Sequence, residues 1–217
     1  MTSPKMYSPP RFQSTNRDAA FALMDQNPFA TVITTTPHSA PVISHLPLTP
    51  KREGEDIVLL GHLAKANPHW KELSAHPTTA IFHGPHTYIT PTWYAENDVP
   101  TWNYSVMHIT GPIEMIEDEA GLITCLKELS AHAESHWPSG WDFFIPDDLS
   151  GDVLTKSIVG FRLRVSEMQF KTKLSQNRSA ADRVGILQGL ATRTDDNSRA
   201  VLAEMEKLFE DNGAVKN

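Results

Sequence analysis

The sequence predicts a mainly β protein with α-helices, an α+β fold in which an antiparallel barrel carries helices on its periphery. Three observations lead there. About seven short runs rich in β-branched and aromatic residues follow one another with turn residues between them. Segments with helical periodicity are too few to alternate with those runs, as a doubly wound parallel sheet requires. The chain has 217 residues, of which 40% are hydrophobic and 21% charged, values that suit a single core of ordinary globular kind.

Taken in order, Thr15 or Asn16 can cap a helix that runs through Gln26, with Ala20, Phe21, Leu23 and Met24 on one face and Asn27-Pro28 as its stop. The strand-like runs are FATVITT (29–35), PVISHLPL (41–48), DIVLLGH (56–62), TTAIFHG (78–84), TYIT (87–90), WNYSVMHITGPIEMI (102–116) and SIVGFRLRV (157–165). AKANPHWKELSAH (64–76) has the composition of one short helix. EDEAGLITCLKELSAHAES (117–135) reads as a longer one, with Leu122, Ile123, Leu126 and Leu129 on one face. Two more helices are expected at about 179–190 and 198–209, and the chain is read as a barrel domain, 1–170, followed by a helical extension, 171–217.

Composition narrows the function. No stretch approaches ~18 consecutive apolar residues, so no membrane span is expected. MTSPKMYSPP lacks the apolar core of a secretion signal, and the single cysteine, Cys125, has no partner for a disulfide or a zinc knuckle, so a cytoplasmic setting is expected. Nineteen basic against twenty-six acidic residues give a net charge of −7, which disfavours nucleic acid as the main ligand. The one local exception is FKTKLSQNRSAADR (170–183), where Lys171, Lys173, Arg178 and Arg183 could face DNA; the alternative is a basic strand end that meets an acidic partner or a ligand phosphate.

The segment GHLAKANPHW (61–70) puts His62 and Lys65 where a strand feeds a helix expected to begin near Ala66 to Pro68. Free amides of a first helical turn, a lysine point charge and an imidazole donor suit a phosphate monoester; a capped helix with a solvated lysine is the rival reading. PTWYAENDVPTWNY (91–104) gathers Trp93, Tyr94, Trp102 and Tyr104, rings suited either to stacking on a flat ligand or to core packing. Of the ten histidines, His62, His69, His76 and His83 fall seven apart, a spacing without meaning outside one continuous helix. His132 and His136 stand one helical turn apart but do not form H-E-x-x-H, and are read as exposed helix-end residues. There is no G-x-S-x-G elbow, and Cys125 falls mid-helix, where a thiol is inert, so nucleophilic catalysis is not expected.

MYSPPRF, NPFATVIT, SHLPL, GHLAKANPHW, FHGPHTYITPTWY, VPTWNY and KLSQNR resemble, in that order, the PaiB family of FMN-binding negative transcriptional regulators, from about residue 6 to about residue 190. The chain departs from the family pattern at Lys65, Thr90 and Thr172, where arginine, serine and an aromatic are usual. The resemblance implies an FMN-binding split β-barrel and a homodimer. Together with the strand-to-helix junction it implies FMN held by Ser44, His45, Leu46, His62, Leu63, Lys65 and Asn67, with further donors at Trp102, Asn103, Gln176 and Asn177. Two functions follow for such a protein: a flavin-bearing repressor, or an FMN-dependent oxidoreductase that takes hydride from NAD(P)H, with any turnover carried by the flavin and no side chain as nucleophile. A haem-binding variant of the scaffold is the third.

Overall fold

The computed structural model describes residues 6–37, 39–96, 98–137, 139–149 and 151–211. Residues 1–5, part of the segment on which the absence of a secretion signal was read, lie outside them. Every strand pair of known register is antiparallel, and among the described residues no helix is long and apolar enough to cross a membrane.

The chain forms two compact, interleaved units. The first comprises residues 16–82 and 107–168. It opens with α1 (Arg17–Gln26), capped by Asn16, whose side chain accepts from the Ala19 amide. β2 (Phe29–Thr34) pairs with β3 (Val42–Pro47) and with the start of β6 (Thr78–Ile89). A second sheet has the order β4 (Thr49–Glu53), β5 (Asp56–Ala64), β9 (Ile158–Arg164), β8 (Ile113–Ile116). β5 lies between two partners and is buried over residues 57–61, as a central strand should be. Leu48, Leu59, Phe82, Met107, Ile109 and Phe161 are among the fully buried side chains. α3 (Glu119–His136) covers this sheet with Leu122 and Cys125 and is capped by Asp118, which accepts from the Gly121 amide. The packing is tight here because Gly61, on β5, leaves no room for a side chain. A Cβ on Gly61 would lie 2.6 Å from Leu48 and 2.7 Å from the Phe161 ring.

The second unit comprises, of the described residues, 6–15, 83–96, 98–106 and 169–211. Its strands are β1 (Gln13–Ser14), β10 (Glu167–Lys173), the start of β7 (Thr101–Thr110) and the end of β6. Its core joins Ile89, Leu174, Ile186, Leu190, Val201, Met205 and Phe209, with Trp93 and Tyr94 packed against it. α5 (Ala180–Ala191) and α6 (Asp196–Asp211) supply most of these residues.

Several expectations change. The runs 78–84 and 87–90 are one strand, β6, because Pro85 removes a single donor without leaving extended geometry. The run 102–116 is two strands, since at Gly111 a Cβ would lie 1.8 Å from the Arg164 carbonyl oxygen and the chain turns there. The helix expected over 64–76 is only a four-residue turn, α2 (Trp70–Leu73). Three strands were not anticipated, the two-residue β1 and the longer β4 and β10. β4, TPKRE, is too polar to read as one, and β10 was read as a basic stretch.

Candidate functional site

The first unit holds a directional chain of buried hydrogen bonds that includes two of the expected site residues, Ser44 and Asn67. His69 is fully buried; its Nδ1 lies 2.8 Å from Ser44 Oγ and its Nε2 2.8 Å from Thr34 Oγ1. Proton positions follow from the far end. Thr78 Oγ1 donates to the His76 carbonyl, so it must accept from Thr34, which lies 2.7 Å away. Thr34 then accepts from His69 Nε2–H. Burial lowers the His69 pKa, leaving the ring neutral with Nδ1 as an acceptor for the Ser44 hydroxyl. Asn67 Nδ2 donates to Ser44 Oγ at 3.0 Å, and Asn67 Oδ1 accepts from the His69 amide. Sequence reasoning passed over His69 as part of a meaningless heptad. The signal that could have found it is an imidazole in a loop directly after Asn67-Pro68, with strand hydroxyls at Thr34, Ser44 and Thr78 available to hold both its nitrogens.

This chain changes the expected phosphate site. The Ser44 proton is spent on His69, so its hydroxyl has no donor left for an anion. The backbone amides are also occupied: Lys65 N donates to the Ser157 carbonyl, Asn67 N to the Ala64 carbonyl and His69 N to Asn67 Oδ1. The helix expected near Asn67 begins only at Trp70 and makes a single turn, so no helix end contributes.

Two side chains of the segment keep unused capacity. His62 Nδ1 is buried without a hydrogen-bond partner, and burial pushes the His62 pKa down. Lys65 Nζ has one carboxylate at 3.8 Å, Glu117, and lies 5.9 Å from the Trp70 ring centroid. Leu63 is buried on the β5 side opposite His62's register position, as alternation dictates. On β3, Ser44 and Leu46 point inward, whereas His45 is exposed, bonded to Thr31 and stacked on Phe29 at 6.4 Å.

The second unit resolves the aromatic segment mostly into core. Trp93 lies over α5, where a Cβ on Gly189 would come within 2.2 Å of its indole, and Arg193 covers it at 4.6 Å. Arg178 lies 4.2 Å from the Tyr94 ring centroid. Trp102 is the exception, 53% exposed beside Tyr88. Asn103 is fully buried; its Oδ1 accepts from Ser175 at 3.0 Å and its Nδ2 faces Met205 Sδ. Gln176 closes its own turn, accepting from the Leu174 amide and donating to the Thr172 carbonyl. Asn177 is exposed in the same turn. The four basic residues proposed for DNA are engaged within this unit. Lys171 is buried and donates to the Tyr7 carbonyl, Lys173 donates to Thr101, Arg178 pairs with Asp98, and Arg183 lies over Phe209.

Reactive groups are few. Cys125 is buried, and desolvation pushes its thiol pKa to about 11, which keeps it protonated and unreactive at neutral pH, as expected from its mid-helix position.

Antiparallel sheets with peripheral helices place the chain in the split-barrel class. The FAD and haem binding protein from Mycobacterium smegmatis shares the fold with a TM-score of 0.57 at 17% identity, covering 74% of this chain and 73% of that one. The flavocytochrome Anf3 from Azotobacter vinelandii does so with a TM-score of 0.55 at 18% identity, covering 74% and 69%. The chain belongs to the family described as "Putative FMN-binding domain", whose model matches residues 6–167, and FMN is the cofactor of that family. A relative in Bacillus subtilis, protease synthase and sporulation protein PAI 2, is 34% identical over 95% of this chain and 97% of its own length. An uncharacterized protein of Aspergillus fumigatus is 30% identical over 69% and 73%. The PaiB resemblance read from the sequence is thereby borne out.

Proposed function

We propose that FMN is held through its phosphate by His62 and Lys65, and that the protein acts as a flavin-bearing regulator of the PaiB kind. The observation that carries this is the buried, unpartnered Nδ1 of His62, three residues before a lysine whose nearest carboxylate is 3.8 Å away. A buried polar atom without a partner is costly, by about 1–3 kcal/mol, and a ligand oxygen removes that cost. Lys65 supplies the charge that a monoester dianion needs. Ser44 and Asn67 act at one remove, since the Ser44 hydroxyl bonded to His69 Nδ1 and the Asn67 Oδ1 that accepts from the His69 amide fix the turn that carries Lys65. Trp102, Asn103, Gln176 and Asn177 are not assigned to the phosphate site, and three of them serve their own unit as described above or are exposed in its turn.

Bound FMN supplies hydride and electron acceptance, so redox chemistry would need no nucleophilic side chain. A second reading, an NAD(P)H-dependent oxidoreductase, is favoured by one specific observation: the side chains of Lys171, Lys173, Arg178 and Arg183 are committed within their own unit rather than offered to phosphates. A homodimer belongs to either reading. Phe29 and Ile43, 66% and 55% exposed at opposite ends of the paired strands β2 and β3 with the bonded Thr31 and His45 between them, are apolar side chains that a second copy would cover.

The deciding experiment takes the purified protein with FMN bound. The regulator reading expects no NADH oxidation, and DNA binding whose affinity falls steeply with salt. Steady NADH oxidation without salt-dependent DNA binding would replace it with the oxidoreductase. A flavin-free protein that takes up no FMN would overturn both.

A further inference from the structure

Asp25, His132 and His136 meet where the last turn of α1 faces the C-terminal turns of α3. Asp25 Oδ1 lies 3.6 Å from His132 Nδ1, and Asp25 Oδ2 lies 3.2 Å from His136 Nε2. The ligand-type atoms of the three all fall within 4.8 Å of one another. None is freely exposed: the side chains of His132, His136 and Asp25 are 12%, 24% and 32% accessible.

Three features point to a cation. Asp25 stands in the last turn of α1, where the helix carbonyls already concentrate negative charge, and that turn contains no basic residue. His136 Nδ1 faces only acceptors, the His132 carbonyl at 3.2 Å and the Ser135 oxygen, whose own proton is given to that carbonyl. Nδ1 therefore carries a hydrogen, and in the neutral ring the lone pair of Nε2 is aimed at a carboxylate oxygen. Two acceptors at that distance need something positive between them, a metal ion or the second proton of an imidazolium. Finally, His132 turns its Nδ1 to the same carboxylate at 3.6 Å, so two imidazoles converge on Asp25, while His132 Nε2, on the far side of the ring, is buried without a hydrogen-bond partner.

We infer that Asp25, His132 and His136 form a site for a divalent metal of the zinc kind. The donor set is right for it: two imidazole nitrogens spaced i, i+4 on one helix and one carboxylate oxygen, with the fourth position left to water. A zinc ion with bonds of ~2.0–2.1 Å sets its ligand atoms about 3.4 Å apart in a tetrahedron; Asp25 Oδ1 stands 3.6 Å from His132 Nδ1 and Asp25 Oδ2 3.2 Å from His136 Nε2, so a small rotation of the carboxylate brings one oxygen into that range of both. His136 has its outer nitrogen bonded to a backbone carbonyl, the support that metal-bound histidines ordinarily have. Such an ion would tie α1 to α3, and it is independent of the flavin assignment.

The test is calorimetric titration of chelator-dialysed protein with Zn²⁺, with Co²⁺ absorption as a second readout of an inner-sphere site. The site predicts one saturable Zn²⁺ per chain and visible Co²⁺ bands. Asp25→Asn and His136→Gln should each weaken Zn²⁺ binding by about a hundredfold or more, whereas His83→Ala, in the other unit, should leave it unchanged. Circular dichroism identifies any variant that fails to fold, and the remaining one then decides. No saturable binding, or binding that both variants retain, would mean an Asp–His ion pair only and would overturn the assignment.

Discussion

His69 Nδ1 accepts the hydroxyl proton of Ser44 across 2.8 Å, inside a unit where the imidazole has no exposed surface. That bond ties the turn after β5 to β3, and it places Lys65 on a segment that cannot drift. Replacing His69 with Ala leaves the Thr34 and Ser44 hydroxyls without their partner and opens a cavity. The expected loss is about 2–5 kcal/mol in urea unfolding of the purified protein. Glutamine, which keeps one donor and one acceptor, should recover part of it.

The same residue sets a pH dependence. Burial lowers the pKa of both His69 and His62, so the unfolded chain binds these protons more readily than the folded one. The stability that their neutral forms contribute is present above about pH 6.5 and is lost as the pH falls through the folded-state values. Midpoints of urea unfolding should therefore decline between pH 7 and pH 5, and His69→Gln should show a shallower decline. A slope identical to that of wild type would show that His69 is not protonated on unfolding.

Gly189 is held by contact, since a Cβ there would lie 2.2 Å from the Trp93 indole. Gly189→Ala gains up to ~1 kcal/mol of helix propensity but must displace a packed ring, which costs about 1–3 kcal/mol or more. Net destabilisation is expected, visible as a lower melting temperature with Trp93 fluorescence shifted to the red. A rise in melting temperature would mean that the indole moves freely.

With its thiol pKa pushed up to about 11 on the buried face of α3, Cys125 should resist a disulfide reagent at pH 8 in the native state and react at once in denaturant. Prompt stoichiometric reaction of the native protein would contradict the burial of this face.

Much of the fold was legible because its signals are local. Asn16 before an apolar-periodic stretch marks α1, and alternation over FATVIT marks β2 with Ala30, Val32 and Thr34 inward. β4 was lost because Lys51, Arg52 and Glu53 look like loop; their charges are matched by Glu128, Asp18 and Arg162, partners far away in sequence. A local clue existed: Gly54-Glu55 is a two-residue hairpin turn with Gly54 at φ 61°, between Glu53 and its register partner Asp56. For the site, the segment 61–70 could be found from its residues and His62 and Lys65 named in it. The direction of the Ser44 proton could not, since it depends on Thr78 and His76. Asp25 beside His132 and His136 was equally hidden, because one helical turn of spacing says nothing about a carboxylate on another helix.

If His62 and Lys65 hold the phosphate of FMN as proposed, riboflavin, which lacks that phosphate, isolates their contribution. Fluorescence titration of the flavin-free protein with each ligand should show FMN bound more tightly. Lys65→Ala removes a charge-assisted contact of about 1.5–3 kcal/mol, so FMN affinity should fall roughly ten- to a hundredfold while riboflavin affinity stays the same. FMN affinity unchanged by Lys65→Ala, or riboflavin weakened as much as FMN, would contradict the assignment.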